Sequence, residues 1–274
     1  MEFGVLGPLR VRDADRDHTP TAPKQRQLLS LLLLDAGNVV PASRCVAELW
    51  GGAPPSSAAA TLQSYVLSLR RMLAAMPSVG SAAAARRLLE TRENGYSLVV
   101  PVDALDLGRF RALARRGSAL MHRDDRGASR LLGMALELWQ GPALAGVPAG
   151  PVLEQQLAVL HEELLSVRTQ RIDADLSLGR HRELLAELAG LAANEPSEEY
   201  VQAQYMLALH RSGRRAQALE TMERLRRVLR DELGLEPSPW VENLHRAMLD
   251  DADGAADGAL PRQPGPGWVT PPVP

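Results

Sequence analysis

Gln63, Ser64, Leu67, Ser68, Arg70 and Arg71 stand out by type and spacing. At about 100° per residue, Gln63, Ser64, Leu67 and Arg71 share one face of a helix, and Ser68 and Arg70 flank it. No Asp or Glu occurs from Ser56 to Met76. An ordinary solvated helix mixes both signs of charge, so a face with guanidinium, amide and hydroxyl groups and no carboxylate suits a negative partner. Arg and Gln are also side chains that pair with base edges in a major groove. Thr61 joins the set at the start of the helix. Leu67 either touches a thymine methyl group or is simply tolerated in solvent.

The opposite face positions these groups. Leu62, Tyr65, Val66, Leu69, Met72, Leu73 and Met76 form an apolar stripe at helical spacing. Pro54-Pro55 block helix upstream, Ser56 or Ser57 is a candidate cap, and Pro77 ends the run. The spacing thus predicts a helix over 56–76.

Other chemistries lack their residues. The one lysine, Lys24, follows Pro23, so no phosphate-binding Gly-Lys loop exists. His18, His122, His161, His181, His210 and His245 are scattered without a His-x-x-x-His pair, and Cys45 is the single cysteine. Neither zinc ligation nor an internal disulfide is expected. Cys45 lies near Val46 and Leu49 and is expected to be buried filler. No Gly-x-Ser-x-Gly elbow is present. Glu162-Glu163, Glu198-Glu199 and Asp250-Asp251 read as solvated surface. We expect no enzyme, no cofactor and no metal.

Around the predicted helix the chain reads as a small α+β head. Phe3, Val5, Leu9 and Val11 alternate around Gly7-Pro8, implying two short strands. Asp13 to His18 reads as a charged loop, and Thr19 to Thr21 as a further strand. Pro23 opens a helix whose apolar body is Leu28 to Leu34, with Gly37 as its stop. Val39-Val40-Pro41 is extended, and Ser43 is a candidate cap for a short helix ending near Trp50. Residues 77–85 read as a loop. Arg86 to Arg92 and Tyr96 to Val100 read as strands, joined through Glu93-Asn94-Gly95, where Asn-Gly is a hairpin signal. Small sheet, three helices and hairpin make a winged helix-turn-helix. Tyr96 is expected in the hairpin core, and Trp50 and Trp139 as packing anchors.

From about Asp103 the texture becomes amphipathic helix, with a break at Gly141-Pro142 and a long helix expected over 152–178. Gly179-Arg180 returns as Gly213-Arg214, 34 residues later, each between helical segments. That period is the tetratricopeptide (TPR) signature. Residues 1–101 hold 11 Lys and Arg against 8 Asp and Glu, whereas the rest hold 20 against 25. A mildly basic front and an acidic back fit a nucleic-acid head on a protein-binding body. Residues 251–274 are rich in Asp, Gly and Pro and lack a stripe, so a disordered tail is expected. The longest apolar run, Leu31–Leu34, cannot span a membrane, and a cytoplasmic protein is expected.

Several motifs together resemble the Streptomyces antibiotic regulatory protein family. In the head they are Val5-Leu6-Gly7-Pro8-Leu9, Pro23-Lys24-Gln25-Arg26-Gln27-Leu28-Leu29, Ala47-Glu48-Leu49-Trp50-Gly51, Thr61-Leu62-Gln63-Ser64-Tyr65-Val66, Leu69-Arg70-Arg71 and Asn94-Gly95-Tyr96-Ser97-Leu98. In the second half they are Leu138-Trp139-Gln140-Gly141-Pro142-Ala143-Leu144, Glu187-Leu188, Ala208-Leu209-His210-Arg211-Ser212-Gly213-Arg214 and Asp231-Glu232-Leu233-Gly234-Leu235-Glu236-Pro237. The chain departs from the family at Ser68, where a basic or larger polar residue is common, and in the long stretch Ala74–Ala85.

The resemblance implies a mainly α fold with a small β component: an OmpR-type winged helix over 1–101 and a TPR-like bacterial transcriptional activator domain over 102–250. It implies a transcriptional activator of a secondary-metabolite gene cluster that binds direct repeats in promoter DNA. A second protomer would lie side by side with the first, and RNA polymerase holoenzyme would be engaged through its sigma factor. Beyond the helical face, the expected DNA contacts are Lys24 and Arg26 at the start of the first helix, and Arg92 and Asn94 at the hairpin tip, which Glu93 shares. The rival reading is a helical-repeat adaptor whose winged helix binds protein.

Overall fold

The computed structural model describes residues 1–250. The tail expected over 251–274 lies outside the described residues. The chain divides into two compact units: residues 1–115 with 134–164, and residues 116–133 with those from 165 onward.

The first unit begins with an antiparallel sheet of β1 (Glu2–Gly4), β2 (Arg10–Asp13) and β3 (Arg16–Asp17). Phe3 pairs with Val11, and both are buried. The charged stretch from Asp13 is therefore a hairpin rather than a loop, and the third strand lies earlier than Thr19. Ala14 and Asp15 both take positive φ, 46° and 62°, the backbone that a two-residue hairpin turn of the twisted kind requires.

Next come α1 (Pro23–Leu34), β4 (Val39–Pro41), α2 (Ala42–Trp50) and α3 (Ala58–Ala74). Pro23 opens α1 as its missing N–H permits. Ser43 lies inside α2 and caps nothing, and Ser57 precedes α3 without a capping hydrogen bond. Leu28, Leu29, Leu31, Leu32, Leu33, Cys45, Leu49, Leu62, Val66, Leu69 and Leu73 are buried. Burial also pushes the Cys45 thiol up to about 12, which fits inert packing rather than reactivity.

A fourth helix, α4 (Ala82–Leu88), occupies what the sequence reads as loop and strand. Ser81 caps it by accepting the N–H of Ala84 at 3.1 Å, and four alanines follow. The strand β5 is accordingly short, Leu89–Arg92, and β6 is Gly95–Leu98. The second sheet runs β4-β6-β5, with Tyr96 opposite both Val40 and Thr91. The hairpin turn is Glu93-Asn94, and Gly95 already pairs with Arg92. Gly95 is required because a Cβ there would collide with the Val40 carbonyl, so close approach of β4 explains the glycine.

Later segments complete this unit. Phe3 bridges to Leu105, just ahead of α5 (Asp106–Ser118). The buried Asp106 carboxylate accepts the N–H groups of Val5 at 2.9 and 3.0 Å, Leu6 at 3.0 Å and Leu107 at 2.7 Å. Burial raises its pKa above the usual carboxylate value, and these donors pull the other way. After α6 (Asp125–Leu136), Trp139 meets Phe110 edge-on at 5.6 Å. At the start of α7 (Pro151–Ser177), Glu48 of α2 accepts the N–H groups of Gly150, Val152 and Leu153 at 2.7, 3.0 and 2.8 Å. It thereby satisfies the orphan donors of that helix end. Gln27 donates to the same carboxylate at 2.7 Å. These ties run past residue 101.

The second unit is helical: the end of α5 and most of α6, the later part of α7, then α8 (Leu185–Asn194), α9 (Glu199–Arg211), α10 (Arg215–Val228), a π-helical turn at Leu229–Leu233 and α11 (Pro239–Asp250). The 34-residue repeat is visible in the backbone. Gly179 and Gly213 have φ of 77° and 76°. Arg180 N–H reaches back to Asp175 O at 3.0 Å, and Arg214 N–H to Leu209 O at 2.9 Å. Each is the six-to-one bond of a Schellman turn, where glycine carries the left-handed residue. Ile172, Leu188, Met206, Leu207, Met222, Leu225, Val241 and Leu244 share one core.

Candidate nucleic-acid interface

Helix α3 is held by one face and free on the other. Leu62, Val66, Leu69 and Leu73 anchor it, and Tyr65 stacks on Trp50 of α2 with ring centroids 6.4 Å apart. Gln63, Ser64, Leu67 and Arg71 are exposed, with Leu67 at 45 %. Ser64 donates to Ala60 O at 3.1 Å. Arg71 makes no hydrogen bond or ion pair among the described residues. Thr61 and Ser68 are half-buried at the edges of this face.

Arg70 behaves differently. Its Nε donates to Leu89 O at 2.9 Å, and a terminal nitrogen donates to Thr91 Oγ1 at 2.8 Å. It therefore ties α3 to the hairpin. Burial, with the nearby Arg86 charge, draws its pKa below the ordinary value, while Tyr96 opposes the shift. The group still carries its charge at neutral pH.

At the hairpin tip Arg92, Glu93 and Asn94 are exposed. Arg92 pairs with Glu90. The Asn94 carbonyl accepts Ala42 N–H at 2.9 Å, so the tip is braced against the start of α2. Tyr96 is buried behind it, 8 % exposed. Arg70 and Arg92 line one open cleft with Arg86, Glu90 and Thr91.

Of the two cations of α1, Lys24 is hydrogen-bonded within the fold, whereas the Arg26 Nε is buried without a hydrogen-bond partner among the described residues. Lys24 donates to the carbonyl of Leu49, at the end of α2, and to Gln27 Oε1 at 3.3 Å. The guanidinium of Arg26 lies beside Gly146. Both side chains are half-buried, and no hydrogen bond joins either to the α3 face. Sequence reasoning missed Arg86, because the stretch that forms α4 reads as a loop to Ala85 and then a strand from Arg86; Ser81 followed by the alanine run was the available signal.

Among the described residues no group of His, Cys, Asp and Glu could hold a metal ion, and no helix is long and apolar enough to cross a membrane.

Comparison with known proteins divides the chain near residue 100 rather than along the two compact units. Residues 17–98 match the family described as "Transcriptional regulatory protein, C terminal", and residues 105–249 match the "Bacterial transcriptional activator domain". Regulatory protein DnrI of Streptomyces peucetius is 42% identical over 96% of this chain and 97% of its own length. Regulatory protein AfsR of Streptomyces coelicolor is 39% identical over 95% of this chain, which spans only 25% of that longer protein. A solved structure described as Mycobacterium tuberculosis EmbR in complex with low affinity phosphopeptide is 31% identical. It superposes with a TM-score of 0.85 over 94% of this chain and 67% of the other. With a winged helix at the front, a helical activator domain behind it and relatives matched along nearly its whole length, the chain belongs to the Streptomyces antibiotic regulatory protein family of transcriptional activators.

Proposed function

We propose that the chain binds direct repeats in promoter DNA and activates transcription by engaging RNA polymerase holoenzyme, sigma factor included. Its target is a secondary-metabolite gene cluster. The observation that carries this reading is the exposed face of α3, with Gln63, Ser64, Leu67 and Arg71 outward and no carboxylate on the helix. These are base-reading types on an element of the right shape for a major groove. The β5–β6 hairpin, with Arg92 and Asn94, approaches the adjacent minor groove or backbone. Lys24 and Arg26 are assigned to phosphate, Lys24 alongside its hydrogen bonds within the fold. Residues 1–101 carry recognition, and 102–250 carry the contacts to a neighbouring protomer and to polymerase.

Footprinting of the purified chain on promoters, followed by transcription in vitro with polymerase and sigma factor, tests this. Protection of paired repeats with increased transcript supports it. Capture of a protein partner without any salt-dependent DNA binding would favour the adaptor reading instead.

A further inference from the structure

The cleft between α3, α4 and β5 is lined by Arg70, Arg86, Glu90, Thr91 and Arg92 and has a volume of about 360 Å³. Three guanidinium groups face one carboxylate there, and that carboxylate is engaged with Arg92. Arg70 cannot swing away, because two hydrogen bonds fix it to β5. Arg86 is exposed and has no hydrogen-bonding or ion-pair partner among the described residues. Like charges held this close repel unless an anion lies between them. The C-terminal end of α4 tolerates Arg86 through its helix dipole, and Glu90 answers Arg92, but the partners of Arg70 are neutral acceptors, so its charge stands beside that of Arg86 without a carboxylate of its own.

We infer that this cleft seats a backbone phosphate of bound duplex DNA, with Arg86 as a contact residue and Arg70 as the group that positions the seat. The inference rests on the DNA-binding reading above and adds a residue to it. The cleft lies between the α3 face and the hairpin. A duplex with α3 in its major groove and the hairpin at the neighbouring minor groove must carry one sugar–phosphate strand across that gap, since the strand is what separates the two grooves. Arg matches a phosphate with several donors at once.

The neighbouring Arg87 supplies an internal control. It carries the same charge in the same last turn of α4 and is exposed, but it does not line the cleft. Binding of the full chain to a random-sequence duplex is measured across a salt series for wild type, Arg86→Ala and Arg87→Ala. Arg86→Ala is expected to lower the slope of log affinity against log salt by about one unit, with roughly a fivefold loss of affinity at fixed salt, and Arg87→Ala by less than about half as much. Arg86→Lys, which restores the charge, is expected to recover most of the slope. All three variants should melt with wild type, since Arg86 and Arg87 are exposed and make no side-chain hydrogen bond or ion pair among the described residues.

Equal effects of Arg86→Ala and Arg87→Ala, or an unchanged slope in Arg86→Ala, overturn the cleft while the DNA-binding reading stands. Absence of salt-dependent DNA binding by wild type overturns both. Inorganic phosphate titrated alone separates a DNA strand from a free anion as the source. Saturable micromolar binding that Arg86→Ala abolishes would assign the cleft to a small phosphate and overturn the DNA assignment. Its absence beside the expected salt slopes supports the strand.

Discussion

Glu48 and Arg71 sit on successive helices of the same compact unit and are treated in opposite ways. The Glu48 carboxylate is 1 % exposed and accepts three backbone N–H groups and the Gln27 amide. The Arg71 guanidinium is exposed and has no partner among the described residues. A buried charge survives only when its hydrogen-bonding capacity is filled, so Glu48 has nothing left to offer a ligand. An exposed cation on an acid-free face keeps its full capacity for one. The contrast separates a residue that builds the head from a residue the head presents.

The largest effect is expected at the buried end. Glu48→Ala strands the N–H groups of Gly150, Val152 and Leu153 and should lower unfolding free energy by roughly 3–5 kcal/mol. Urea denaturation followed by circular dichroism measures it. Glu48→Gln, which keeps one acceptor but turns an NH2 toward the donors, should fall between that variant and wild type. A loss under about 1 kcal/mol in Glu48→Ala would show that water replaces the carboxylate and that the contrast with Arg71 is overdrawn.

At the exposed end, Arg71→Ala should leave stability unchanged and weaken specific binding by roughly 1–3 kcal/mol if the side chain pairs with a base. Gel shifts on an operator and on random DNA decide between base and backbone. Equal losses on the two would make Arg71 a phosphate contact.

The second unit offers a half-buried carboxylate with fewer partners. Among the described residues Asp173 accepts Tyr200 Oη at 2.7 Å and Gln204 Nε2 at 2.6 Å, with His122 nearby. Burial outweighs these and pushes its pKa up to about 6. The folded chain therefore holds this proton more tightly than the unfolded chain. The stability it contributes is present below about pH 4 and is lost as pH rises through about 6. Asp173→Asn removes the titration, so its stability relative to wild type should rise across that window by on the order of 1 kcal/mol. Parallel melting curves at several pH values test it. A difference that stays flat with pH would mean that the site is wetter than its burial implies.

How much of this was legible in the sequence depends on how local each signal was. The stripe of α3 was readable because Leu62, Val66, Leu69 and Leu73 repeat at the helical period and prolines bracket them. Gly179 and Gly213 were readable because a left-handed helix end needs glycine wherever it occurs. The role of Glu48 was not, because its partners lie about a hundred residues away and a Glu in a helix carries no mark of burial. Gly95 gave the right hairpin for a different reason: its neighbour β4, not its own φ, excludes a side chain. Likewise α4 is too short for a stripe, and only its Ser81 cap announced it. Within the candidate site, the helical face followed from periodicity, whereas the tie from Arg70 to β5 and the engagement of Lys24 depend on which elements meet.

Lys24 falls between the two extremes, and the smallest effects are expected there. It is half-buried and bonded to Leu49 O and Gln27 Oε1, yet an ammonium has three donors, so one remains for phosphate. Its place at the end of α2 also sets a positive charge against the negative pole of that helix. Lys24→Ala removes strut and charge together. Unfolding free energy should drop by roughly 0.5–1 kcal/mol, and the salt slope of DNA binding should fall by up to about one unit. Lys24→Gln separates the two roles, because its amide can donate to Leu49 O but carries no charge. It should recover most of the stability and none of the slope. If the slope in Lys24→Ala matches wild type while stability drops, Lys24 belongs with Glu48 among the residues that build the head, and the DNA surface is confined to α3, the hairpin and the cleft between them.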